Sequence, residues 1–484
     1  MSKKSLKKNF IFNLIFTLMN IIYPIITLPY VSRVLMADNL GKVNLAISLI
    51  NWLIIIASVG IPTYGIREIA RVREDKRKLS KVFSELMIIK FFATVFTVIA
   101  YVTLLLSNEK FSSELSLYIV TGLNLFLNIF SMDWFYQGIE EYGYITSRSI
   151  ILKLISLILM FITVTSSEDY VYYAILSVFA NSFGNIINFI YSKRFVKIVF
   201  KDINFMYHLQ KIKFFFFASL VFSIYTQFDS VILGFFKSNT AVAYYTRTKQ
   251  VINLGLIFSS SLTQVMLPRV SYLFQKNKYE YRKAIEKSVD YVYIISIPLT
   301  SAVIVLSHEV MMVLGGSEFI NAKYSLQIAG VVIIVNSLGT LMYSQVLLPT
   351  GNESKSLNVH LITAFISLCL SLLLIPNLSY IGAAIVYTLS QLFGNFYGVY
   401  ISKKISNIRL LTKSLLKYFF GTIMMTLTIL IVKHYFIDYL QVLIISCVLG
   451  IITYFTILII LKEELTIYIL RSLFSKFKNR ILSR

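Results

Sequence analysis

Fourteen mostly apolar stretches divide the 484-residue chain, at 9–32, 43–66, 82–106, 115–137, 149–166, 170–192, 214–236, 248–268, 288–313, 323–348, 358–376, 378–401, 418–436 and 438–461. Each is about as long as a helix crossing a hydrocarbon core, which takes ~20 residues at ~1.5 Å apiece. The polar loops between them alternate between strongly basic and nearly uncharged. With the amino terminus inside, the inner segments hold 36 of the 46 Lys and Arg. The positive-inside rule then places both termini in the cytoplasm. The pattern predicts an all-α polytopic membrane protein with about 14 transmembrane helices.

The longest central connection, 193–213, carries six basic residues and separates six spans from the next eight. The expected organisation is an N-lobe at 1–192, a basic cytoplasmic linker at 193–213, a C-lobe at 214–401, two further spans within 402–461 and a tail at 462–484. In the tail Leu465, Ile469, Leu473, Phe477 and Ile481 recur at amphipathic-helix spacing among Lys476, Lys478, Arg480 and Arg484; such a helix suits a membrane surface. A shift of 202 residues lays Ser58–Lys78 over Ser260–Glu280, with Asn51 over Asn253 and Arg67 over Arg269. An even number of spans per copy makes the repeats parallel, so two six-helix lobes are expected around a central cavity, followed by two C-terminal helices.

Composition narrows the chemistry. With 57% hydrophobic residues, mean hydropathy +0.74 and 14% charged residues, the chain does not resemble a soluble core. The net charge of +23 is spread over short loops, so it reads as topology and not as a nucleic-acid surface. Cys369 and Cys447 lie mid-span without metal or redox spacing. The first apolar run follows Lys7-Lys8 without a small-residue cleavage site and is expected to be retained. No nucleophile, metal set or phosphate loop stands out, and the outer loops are too short for the catalytic domain of a glycan polymerase or ligase. Neither an enzyme nor a cofactor is expected.

Four segments carry a resemblance: PYVSRVLMADNLG at Pro29–Gly41, YGIREIAR at Tyr64–Arg71, MDWFYQGIEEYGYI at Met132–Ile145 and DSVILGFFKSNTAVAYYT at Asp229–Thr246. Together with the 12-plus-2 span count, they resemble the Wzx-type polysaccharide flippases of the multidrug/oligosaccharidyl-lipid/polysaccharide exporter superfamily. One departure is Met36, where that family usually has glycine after RVL. The resemblance implies that an undecaprenyl-pyrophosphate-linked oligosaccharide repeat unit is turned over in a bacterial cytoplasmic membrane. Membrane lipids, a polysaccharide polymerase and glycosyltransferases are the implied partners.

Such cargo needs cations for pyrophosphate and amides or hydroxyls for sugars. Arg33, Arg247 and Lys249 are expected at the outer ends of spans one and eight, and resemblance to the related lipid II flippases makes them pyrophosphate contacts; snorkelling to headgroups is the alternative. Arg67 and Arg269 are expected to receive the head at the inner ends, or simply to obey the positive-inside rule. Asp229, Asp133 and Asp290 would bind a coupling H⁺ or Na⁺ or neutralise a neighbouring cation. Asn51 leads a set of intraspan amides that includes Asn13, Asn20, Asn44, Asn124 and Asn128. A cation-coupled multidrug antiporter of the same superfamily is the competing reading, and would rest on Asp229.

Overall fold

The computed structural model describes residues 6–201, 203–468 and 471, and among them the regular structure is entirely helical. In chain order the first helices are α1 Leu6–Ser58, α2 Ile61–Val72, α3 Lys76–Ser107, α4 Glu109–Ser112, α5 Leu115–Leu127 and α6 Asp133–Gly138. There follow α7 Tyr142–Thr163, α8 Tyr170–Val178, α9 Gly184–Ser192, α10 Phe205–Ser223, α11 Asp229–Phe236 and α12 Asn239–Lys276. The remainder comprises α13 Lys278–Val305, α14 Ser307–Gly315, α15 Ala322–Ala329, α16 Val332–Met342, α17 Glu353–Ser406, α18 Leu415–Tyr435 and α19 Tyr439–Ile460. Single π-turns at Phe179–Phe183, Ile224–Phe228 and Tyr343–Leu347 interrupt the helical runs.

Eleven helical runs among the described residues are long and apolar enough to cross a bilayer. Two of them, Leu14–Val72 with 59 residues and Ser354–Ser406 with 53, exceed twice the length one crossing needs. The first bends at Met36 and breaks again at Val59–Gly60 between α1 and α2, and the second bends at Ser379. The loop expected at 33–42 is therefore helix on both sides of a single kinked residue. Likewise α12 starts at Asn239, so Arg247 and Lys249 lie more than two turns inside this helix.

Met36 has φ 65° and ψ 174°, a region open essentially only to glycine. Its side chain is 44% exposed and gains little in return. Met36→Gly is expected to stabilise the protein by about 1–2 kcal/mol through relief of this strain. A higher midpoint in thermal unfolding of the detergent-solubilised protein would show it; an unchanged or lower midpoint would refute it.

The chain divides into two compact units, Met1–Ala243 and Tyr244–Arg484. This packing division falls after the basic connection, because α10 and α11 pack on α1, α2 and α3 within the first unit. Two apolar cores are described in that unit. One joins Tyr64, Phe83, Trp134, Phe135 and Tyr136 with Val196 and Ile212. The other joins Ala46, Ile50 and Leu53 of α1 with Tyr101, Phe111 and Leu125. Gly41 lets α1 approach the start of α12: a methyl group there would lie 1.9 Å from the Asn239 carbonyl oxygen.

The segment after α9 is strapped along α3. Lys197 and Val199 N–H donate to the Ser80 and Ser84 hydroxyls at 3.2 and 2.9 Å, and Asn204 N–H donates to Glu85 at 2.6 Å. Buried His208 continues the clamp, bridging Glu85 at 3.0 Å and the Tyr64 hydroxyl at 2.8 Å.

The second unit packs α13, α16, α18 and α19 around buried tyrosines, three of whose hydroxyls find acceptors within the core. Tyr281 donates to the Gln345 carbonyl and Tyr454 to the Ile294 carbonyl, both at 3.0 Å. Tyr418 donates to Glu463, a carboxylate only 1% exposed just beyond α19. Glu463 also accepts from the Ser414 hydroxyl, Leu465 N–H, Thr466 N–H and the Thr466 hydroxyl at 2.7–3.1 Å. Burial opposes its ionisation, yet these donors hold its carboxyl below the usual range. The expected amphipathic tail lies largely outside the described residues.

Candidate functional site

A helix places residues i, i+4 and i+7 on one face. The first unit uses that spacing to line a cavity of about 380 Å³ with amides. Asn51 of α1 faces it, as do Asn124 at the end of α5 and Asn128 just after it, and Asn181 and Asn185 around the π-turn between α8 and α9. Ile47, Ile50 and Ile54 form an apolar wall beside Asn51. Most of the amides are held: Asn128 and Ser58 share hydrogen bonds, Asn124 contacts the Ser182 hydroxyl, Asn181 donates to the Ser177 carbonyl at 2.9 Å, and Asn185 reaches the Leu127 carbonyl. The Asn51 amide has no hydrogen-bond partner among the described residues, so its donors and acceptor remain available to whatever enters.

Asp133, the first residue of α6, lines this cavity and a smaller one of about 100 Å³ beside it. Its carboxylate accepts from Asn188 at 2.9 Å and pairs with Arg148 of α7 at 3.2 Å. Lys153, also on α7, lines the smaller cavity and donates to the Asn20 side chain. Buried Lys90 of α3 donates to the carbonyl of Ser131, another residue of the larger cavity. Three basic side chains thus surround one carboxylate, in a region where an uncompensated charge is expensive.

Of the sequence candidates in this unit, Asn51, Asn124, Asn128 and Asp133 come together. Arg33 is exposed and donates to the Pro29 carbonyl at 2.8 Å; Arg67 is exposed on α2. Asp229 is buried at the start of α11, directly after a π-turn, and accepts from Ser230 N–H at 2.7 Å. In the second unit Arg247 is 2% exposed, with its guanidinium 5.2 Å from the Phe319 ring and a hydrogen bond to Gln250 at 3.1 Å. Lys249 lies 5.2 and 5.7 Å from the Tyr245 and Tyr387 rings. Aromatic faces attract such cations while leaving them polar on the other side. Asn253 and Arg269 are exposed on α12. Asp290 of α13 has a buried oxygen without a hydrogen-bond partner among the described residues. No group of metal-ligating side chains occurs among the described residues.

Sequence reasoning missed Asn181, Asn185 and Arg148 as cavity residues. The first two belong to an Asn181, Asn185, Asn188 series at i, i+4, i+7, a signal legible in the sequence once span six is read as a helix.

Known proteins share both sequence and fold with this chain. Residues 6–274, more than half of it, match the model of the family described as polysaccharide biosynthesis protein. A putative O-antigen transporter of Shigella dysenteriae is 24% identical over 389 residues, covering 78% of this chain and 94% of its own. The lipid II flippase MurJ in an inward closed conformation superposes with TM-score 0.76 at 16% identity, over 94% of this chain and 99% of its own. An inward-facing multidrug resistance MATE family transporter of the MOP superfamily gives TM-score 0.66 at 16% identity, over 81% and 94%. The protein has the fold of these membrane transporters, and it belongs to the polysaccharide biosynthesis protein family.

Proposed function

We propose that the protein flips undecaprenyl-pyrophosphate-linked oligosaccharide repeat units from the cytoplasmic to the outer leaflet of a bacterial plasma membrane, by alternating access, for assembly of a cell-surface polysaccharide. The observation that carries this reading is the amide-lined cavity with its unpartnered Asn51. A sugar head bears many hydroxyls, each costing several kcal/mol if stripped of hydrogen bonds in hydrocarbon. Carboxamides both donate and accept, and so can replace water around any hydroxyl orientation. The naming of relatives as an O-antigen transporter and a lipid II flippase supports the same cargo class. Arg247 and Lys249 are the proposed pyrophosphate contacts, Arg by its planar fork and Lys as a mobile charge.

The antiporter reading would rest on Asp229, which is buried, accepts from Ser230 N–H and does not line this cavity, or on a carboxylate available within the cavity. Asp133, its carboxylate, is already paired with Arg148, and basic groups outnumber it. Direction requires no dedicated ion: a dianionic head leaving a negative interior gains roughly 4–5 kcal/mol at 100 mV.

Asn51→Leu keeps the volume and removes the amide. It is expected to slow flipping of a fluorescent undecaprenyl-pyrophosphate oligosaccharide in proteoliposomes about tenfold, equivalent to about one hydrogen bond. Thermal stability should hardly change, since no protein partner is lost. Wild-type protein that flips no such glycolipid but expels a cationic dye against protons would overturn the proposal.

A further inference from the structure

Away from the amide cavity, the first unit has a second pocket, about 580 Å³ in volume, at the ends of α3 and α9. Lys76, Arg77 and Lys81 reach it from the first turns of α3, Lys193 and Arg194 from the end of α9, and Lys197 and Lys201 from the strap. Among the described residues no carboxylate lines it, and none of these seven side chains has an ion-pair partner. Cations at a helix N-terminus add to the positive end of the helix dipole, which normally attracts anions. Asp75 caps the first turn of α3, its carboxylate accepting from Arg77 and Lys78 N–H and pairing with the Lys78 ammonium, so an incoming anion would answer the seven pocket cations and not an empty helix end.

The clustering is built and not incidental. Val196 is anchored in the aromatic core, and the neighbouring N–H groups of Lys197 and Val199 are bonded to α3, so the strap holds its lysines over the α3 cations. Along the same strap Ile198 is 52% and Phe200 75% exposed. Basic groups that converge at the end of spanning helices beside exposed apolar side chains match both halves of an amphiphile.

We propose that this pocket binds the phosphate of a membrane lipid, with the lipid chains lying against Ile198 and Phe200. The phosphate belongs either to a resident acidic phospholipid or to a polyprenyl pyrophosphate awaiting transport. The second source rests on the proposed cargo; the first does not.

Native mass spectrometry of the full-length protein tests the site, with phosphatidylglycerol, phosphatidylcholine and undecaprenyl pyrophosphate as separate probes. The variant Lys76→Gln/Lys81→Gln/Lys197→Gln is compared with Lys278→Gln/Arg282→Gln/Lys283→Gln, which removes equal charge from the start of α13. The pocket variant is expected to lose about a hundredfold in affinity for at least one anionic probe, with phosphatidylcholine binding unchanged and the control variant close to wild type. Selective loss of phosphatidylglycerol identifies the phospholipid source; selective loss of undecaprenyl pyrophosphate identifies the cargo. Phe200→Ser leaves every charge in place and should weaken the same probe by a smaller factor, which guards against misfolding of the triple variant. Unchanged binding in the pocket variant, or equal losses in pocket and control variants, would overturn the proposal even if glycolipid flipping were intact.

Discussion

Glu463→Ala is expected to destabilise the second unit by about 4 kcal/mol, the largest single-residue effect the fold predicts. Five donors converge on this 1%-exposed carboxylate, from the start of α18 and from the turn beyond α19. Truncation leaves them facing a void, and each buried unsatisfied donor costs about 1–3 kcal/mol before relaxation. Glu463→Gln should recover part of the loss, since its carbonyl still accepts while its NH₂ opposes the remaining donors. The pH dependence has a definite sign. Because the native carboxyl titrates below its usual value, its stabilisation is present above the unfolded pKa of about 4.3 and is lost as the pH falls through the lowered native one. Thermal unfolding of wild type and Glu463→Ala should therefore converge at low pH. A constant gap between pH 7 and pH 3 would show that packing, and not the carboxylate, holds this corner.

The second large effect is expected at the Asp133–Arg148 pair. Asp133→Leu leaves an 11%-exposed guanidinium without its counter-ion and should cost about 3 kcal/mol, toward the low end for a broken buried pair because the carboxylate faces a cavity. Asp133→Leu/Arg148→Met removes both charges and is expected to recover at least half of that stability, since replacing an ion pair by apolar side chains is often nearly neutral. Glycolipid flipping should stay slow in the double variant, because a polar wall of the cavity has become apolar. Additive destabilisation would show that the two residues do not act as a pair. A stable double variant with wild-type flipping would confine the pair to a structural role.

Long apolar runs made the spanning helices legible, because a lipid core imposes both length and composition. Their ends were less so, and Arg148 shows the reason. Hydropathy starts span five at residue 149 and leaves this arginine in a loop, whereas α7 begins at Tyr142 and carries Arg148 into the interior, where Asp133 neutralises it. Span four hides a second case: its apolar run contains a break at Ser131–Met132, which turns Asp133 into the first residue of a new short helix. The amides of α1 and α5 were visible as intraspan polar residues. That they meet Asn181 and Asn185 depends on a π-turn, which hydrophobic periodicity does not register. Arg247 and Lys249 were identified as cations near a span end, but their aromatic surroundings come from residues as distant as Phe319 and Tyr387.

Met36 limits how this chain can change. No single base substitution converts the methionine codon into a glycine codon, and the one-step intermediates encode valine or arginine. Valine, branched at Cβ, fits the φ 65° backbone worse than methionine does, and arginine would add another cation close to Arg33. The relaxed form of the kink is thus separated from the present one by intermediates expected to be less fit. A strained turn can persist in a lineage for that reason alone, even when its removal would make the protein more stable.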